Sequence, residues 1–122
     1  MAGLSLSSQQ SALDFLFPVT GSTDHIAVSS NGTSESTQVG RTSIGATGWV
    51  AATAVTPSVK ANGSALTSPA STGSATITHF AVYSASTAGT QKLDWTALSA
   101  SLPVITGTTI QWASGAAQIT LD

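Results

Sequence analysis

His25 and His79 are the only imidazoles in this 122-residue chain, and with five carboxylates they are the residues whose types could do acid, base or metal chemistry. Zinc needs three or four convergent ligands of His, Cys or carboxylate type. The chain has no cysteine, which excludes disulfides and thiolate ligands. Asp24 adjoins His25, but neighbours on a strand point to opposite faces, so that pair does not converge. No metal site is expected. Hydroxyls are abundant, yet no Gly-x-Ser-x-Gly elbow precedes a helix, and Gly45-Ala46-Thr47-Gly48 lacks the lysine of a phosphate-binding loop. Asp14, Asp24, Glu35, Asp94 and Asp122 are scattered, whereas glycoside hydrolysis needs two carboxyls facing across a cleft. The residues assign no catalytic role and no cofactor, and a non-enzymatic protein is expected.

Charge narrows the partners. Charged residues make up 7% of the chain, against about 25% in an ordinary globular domain. Arg41, Lys60 and Lys92 are the only cations, and the net charge is -2. That leaves no basic stripe to follow a phosphate backbone, so nucleic acid is not an expected partner. The sequence has no apolar run of membrane-spanning length, and its first residues lack the basic start and long apolar core of an export signal. Neither a membrane span nor export is expected. A surface with so little charge resists association poorly, which predicts a protein that works in an assembled state.

The elements that must carry these side chains read as mostly β. Ser7 and Gln10 match a capping box, and Leu6, Leu13, Leu16 and Phe17 can share one helical face ahead of Pro18, which predicts a helix over 8–16. After it come short runs that read as strands at 24–29, 38–44, 49–56, 75–83, 92–98, 108–113 and 118–121. Asn31-Gly32 and Asn62-Gly63 are dipeptides that accept positive φ in tight turns. Residues 58–74 read as a long loop with a short strand near Leu66. Strands at this spacing predict an all-β domain, a β-sandwich or jelly roll over 19–122, with a helical segment over 1–18. One internal echo sets His25-Ile26-Ala27-Val28-Ser29-Ser30 beside His79-Phe80-Ala81-Val82-Tyr83-Ser84, as two equivalent central strands would.

Trp49, Trp95 and Trp112 each stand among small residues, and a buried indole removes about 150–250 Å² from water, so they read as core anchors. Tryptophan also serves at interfaces. Phe15, Phe17 and Trp49 are the partner-interface candidates, the two phenylalanines because the end of a terminal helix can dock on a neighbour.

Several of these segments carry a resemblance. The run Thr78-His79-Phe80-Ala81-Val82-Tyr83, the turn Thr87-Ala88-Gly89-Thr90, the segment Gly40-Arg41-Thr42 and the ending from Ala113 to Asp122 resemble small tailed-phage virion proteins, the capsid decoration or cement proteins often labelled tail-fibre proteins. The likeness covers nearly the whole chain. It departs in the middle, where many relatives are more aromatic and carry Tyr before the position of Arg41. The resemblance implies a β-sandwich or jelly-roll homotrimer on the virion surface, assembled in the host cytoplasm and cementing junctions of the major capsid protein. The alternative it leaves is a tail-fibre or receptor-binding module that recognises a host surface glycan through its loops.

Overall fold

The two echoing segments lie side by side. In the computed structural model, which describes residues 4–55 and 57–121, β1 (His25–Ser29) pairs antiparallel with β5 (Ala75–Tyr83). The register runs from His25↔Tyr83 through Ala27↔Ala81 to Ser29↔His79. A pair of this kind has a local two-fold axis at its centre, here between Ala27 and Ala81. Each residue of one strand therefore has its echo at the symmetric position of the other. Ile26, Ala27, Ala81 and Val82 are completely buried around that axis.

The fold is all-β with one short N-terminal helix. Its elements are α1 (Leu6–Leu16), β1, β2 (Thr42–Ser43), β3 (Ser58–Ala61), β4 (Leu66–Thr67), β5, β6 (Gln91–Val104), β7 (Gln111–Trp112) and β8 (Gln118–Leu121). They group into two compact units interleaved in sequence. One comprises Met1–Ser22, Ile44–Ala65 and Trp112–Asp122; the other comprises Thr23–Ser43 and Leu66–Gln111. We call them the helical unit and the sheet unit.

In the helical unit, α1 starts two residues earlier than the capping box predicts. Ser5 is the N-cap, its hydroxyl accepting from the Ser8 N–H at 3.4 Å, and the chain leaves the helix at Phe17, just before Pro18. Gln9, Leu13 and Phe17 recur every four residues and form the buried stripe. β3 pairs antiparallel with β8, from Ser58↔Leu121 to Ala61↔Gln118. Phe17 and Trp49 meet edge to face with ring centroids 5.4 Å apart.

The sheet unit holds a four-stranded antiparallel sheet ordered β2-β1-β5-β6. β6 is its long edge, a position that invites pairing with other chains. Three irregularities blunt it. Lys92 is an extra residue between the pairs Val82↔Leu93 and Tyr83↔Gln91. Asp94 and Trp95 together oppose Ala81, and 98–101 bulge out opposite Thr78. Pro103, without an N–H, sits near the end of the strand. The first bulge re-aims Lys92, whose Nζ lies 2.7 Å from Oδ1 of the buried Asp24.

The strands expected at 38–44 and 49–56 shrink to β2 and to an isolated bridge between Trp49 and Asn62. Thr56 lies outside the described residues. The N–H groups of this stretch are still bonded: Val50 donates to the Ala61 carbonyl at 3.0 Å, Thr53 to that of Val59 at 3.0 Å, and Ala52 to the Asp14 carboxylate at 3.0 Å. A side chain takes the place of a ladder partner, so the stretch is extended without being a regular strand. In the loop expected at 58–74, β3 forms because β8 satisfies its backbone.

Candidate functional site

The residues that could do chemistry are kept apart by the sheet. His25 and His79 lie at opposite ends of the β1–β5 pair. Nδ1 of His25 is 2.8 Å from the Thr23 carbonyl, and Nδ1 of His79 is 2.8 Å from the Thr78 hydroxyl. The His79 ring also lies so close over Gly32 that a Cβ there would stand 3.0 Å from it. No group of three or more His, Cys, Asp or Glu residues converges among the described residues. Four carboxylates are each engaged separately: Asp14 with Lys60, Glu35 with Arg41, Asp24 with Lys92, and Asp94 with the N–H of Trp95. Asp122 lies outside the described residues.

All three cations are thus consumed within the chain. Lys60 is fully buried on β3, a setting lysine tolerates only when paired. Its Nζ donates to Asp14 Oδ1 at 2.7 Å, while the Asp14 side chain keeps 42% of its surface in water. Burial by itself would raise the Asp14 pKa. The hydrogen bonds from Lys60 and from the Ala52 N–H outweigh it and hold the carboxyl below its ordinary value. One turn before Asp14 on α1, Gln10 donates to the Ala52 carbonyl at 3.4 Å, and Gln9 accepts from the Ser58 N–H at 2.9 Å. Helix α1 is fastened to β3 and to the 49–53 stretch by side chains along its length.

Arg41 plays the corresponding part in the sheet unit. Its Nε and Nη2 each donate to one Glu35 oxygen at 2.9 Å, the bidentate fork that guanidinium and carboxylate favour. Nη1 donates to the carbonyls of Ala85 and Ala88, both at 2.8 Å. The guanidinium carbon lies 4.0 Å from the centre of the Tyr83 ring. The Glu35 contact raises the already high pKa of Arg41. The clamp holds the β5–β6 hairpin against residues 35–41. At the tip of that hairpin Ala88 has φ +52°, followed by Gly89 at +77°. A left-handed alanine costs about 1 kcal/mol or more, and here the carbonyl of that strained residue is one of the two that Arg41 binds.

Beside the clamp is an open cleft of about 290 Å³ whose lining includes Glu35, Thr37, Val39, Arg41, Ser86 and Thr87. No protein-family model matches this chain, and no curated protein does. The site is therefore read from its own residues.

Of the three interface candidates, only Phe15 is exposed. It is 83% exposed, whereas Phe17 and Trp49 are 2% and 1% exposed and pack on each other in the core of the helical unit. Phe17 and Trp49 therefore present almost no surface to solvent. Position on the helix separates the phenylalanines: Phe17 continues the Gln9-Leu13 stripe, and Phe15 falls two residues off it. Leu4, Leu16, Val50 and Val55 of the same unit are also exposed. Of the tryptophans, Trp49 and Trp112 are buried, while Trp95 on the edge strand is half-buried, 6.3 Å from the Tyr83 ring.

Sequence reasoning missed Lys60 and Glu35, and noticed Arg41 only as part of a motif. The available signal was scarcity. Where only three cations exist among so many neutral residues, solubility is left to hydroxyls, and each cation is a candidate for a structural bond.

Proposed function

We propose that this protein is a structural binding protein of a virion, a capsid decoration or cement protein that self-associates, as a homotrimer, and sits on major capsid protein junctions. The observation that carries this reading is the division between charge and apolar surface. Every cation is paired within the chain, and the helical unit exposes five large apolar side chains, Leu4, Phe15, Leu16, Val50 and Val55. A partner meeting that unit gains from apolar burial and shape. Free charge contributes little, because the one charge on α1, Asp14, is already answered by Lys60. A standard interface buries about 800 Å² on each side with an apolar centre, and exposed large apolar side chains are the material of such a centre. The resemblance of the strand and turn segments to decoration proteins supports the choice of a shell as the partner.

Three measurements test it. In purified particles, copy number relative to the major capsid protein is expected near one; a handful of copies per particle would mean a tail or fibre component and would end the cement reading. Binding to stripped shells is expected to change little across roughly 0.05–0.5 M salt, where screening would abolish an interface built on exposed ion pairs. Phe15→Ser is expected to abolish shell binding with stability changed by less than about 0.5 kcal/mol. Shell binding retained in Phe15→Ser would remove the helical unit from the interface.

A further inference from the structure

We propose that the cleft beside the Arg41–Glu35 pair is a binding site for a short neutral saccharide. This site lies wholly within the sheet unit and does not rest on the cement reading.

The electrostatics select the ligand class. An anion finds little there, because four of the five guanidinium N–H donors of Arg41 are already given to Glu35, Ala85 and Ala88, and the Glu35 carboxylate stands beside it. A cation finds a carboxylate already neutralised by a bidentate partner. What remains is hydroxyl chemistry. Thr37, Ser86 and Thr87 line the cleft, and their side chains hydrogen-bond to no other described residue, which leaves each hydroxyl able to act as donor and acceptor. Each oxygen of Glu35 accepts one bond from Arg41 and retains acceptor capacity. The lining also has an apolar part beside these groups. A sugar ring has the matching pattern, with hydroxyls around its rim and C–H groups on its face.

Geometry adds two points. At about 290 Å³ the cleft lies just under the usual range of ligand-sized sites, which restricts it to a short saccharide. Its walls are also set before any ligand arrives. Arg41 ties residues 35–41 to the tip carbonyls of the hairpin, and the strained Ala88 is held in place by one of those bonds. A rigid site spends less of its binding energy on ordering loops.

The test is a titration of the full chain with maltose, lactose and cellobiose, followed by amide chemical shifts, with inorganic phosphate and gluconate as anionic comparisons. At millimolar concentration at least one of the three neutral disaccharides is expected to shift the amides of Thr37, Gly40, Ser86, Thr87 and Ala88. Thr87→Val is expected to weaken that binding roughly fivefold or more, the loss of about one hydrogen bond, and Ser86→Ala to weaken it similarly. Both positions are exposed, so these variants are expected to fold. No shift at these amides with any of the three, shifts unchanged in both variants, or an equal response to phosphate or gluconate would each overturn the proposal. Phe15→Ser serves as the control: it is expected to leave the saccharide shifts intact while removing shell binding, so the two readings fail separately.

Discussion

Lys60 in the helical unit and Arg41 in the sheet unit both hold a distant or irregular segment against a strand, but they distribute the work differently. Lys60 is an ammonium with no exposed surface that answers to a single carboxylate oxygen on α1. Arg41 spreads its charge over a carboxylate, two backbone carbonyls and a tyrosine ring. The chemistry of the two cations accounts for this: an ammonium is a compact point charge, while a guanidinium is a planar fork that also stacks. The difference teaches where each unit is vulnerable. The buried Lys60 charge is answered by one bond, whereas the Arg41 charge is answered by several that share the load. Their surfaces differ in degree as well: the helical unit exposes Leu4, Phe15, Leu16, Val50 and Val55, and the sheet unit exposes Leu102 and Ile105 and carries the hydroxyl-lined cleft.

The largest effect is expected from breaking the single bond. Asp14→Asn leaves the Lys60 charge buried without a counter-ion and should cost about 2–3 kcal/mol in denaturant unfolding, below the usual range for a fully buried pair because Asp14 is half in water. Lys60→Met leaves a carboxylate that can hydrate and should cost less than about 1 kcal/mol. Equal costs for the two variants would remove the asymmetry on which the comparison rests. The same bond has a pH signature. Because the folded pKa of Asp14 is depressed below its ordinary 3.8, its contribution is present above that value and is lost as pH falls through the folded pKa. Stability of the parent chain should therefore drop in that acid window, and Asp14→Asn should flatten the slope there.

A smaller loss is expected from Arg41→Lys, about 1–2 kcal/mol, since the charge stays but the fork and the stacking go. Hydrogen exchange should accelerate at the hairpin tip around 84–90 and stay unchanged in β3 and β8. Acceleration throughout both units would contradict a clamp local to the sheet unit. The smallest effect is a gain: Ala88→Gly should stabilise by about 0.5 kcal/mol, relief of left-handed strain offset by a more flexible unfolded chain.

Local pattern made much of the fold legible. The paired echo of β1 and β5 was visible because residues related by a two-fold axis share an environment and are drawn to similar types. The Thr87–Thr90 turn and the helix before Pro18 were legible for equally local reasons. The stretch 49–53 was misread because its apolar residues look like a strand, while its backbone is satisfied partly by Asp14 and only partly by β3. Asn62-Gly63 reads as a tight turn with positive φ, yet Gly63 is not among the positive-φ glycines, and Asn62 is buried with its amide joined to the Ser64 and Ala113 carbonyls and the Ala117 N–H. Gly63 is needed there for close approach, since a Cβ would meet Val50 at 2.8 Å.

Backbone preference and side-chain alternation act between near neighbours, so an all-β chain with a short N-terminal helix and few charges is legible in local pattern alone. Tertiary structure alone decided which phenylalanine is exposed, which lysine is buried, and which hydroxyls line a common cleft. Those outcomes depend on residues far apart in the chain, as with Asp14 and Lys60, separated by 46 positions, and Arg41 and Ala88, separated by 47. Desolvation and charge pairing are settled only when such residues arrive at the same place.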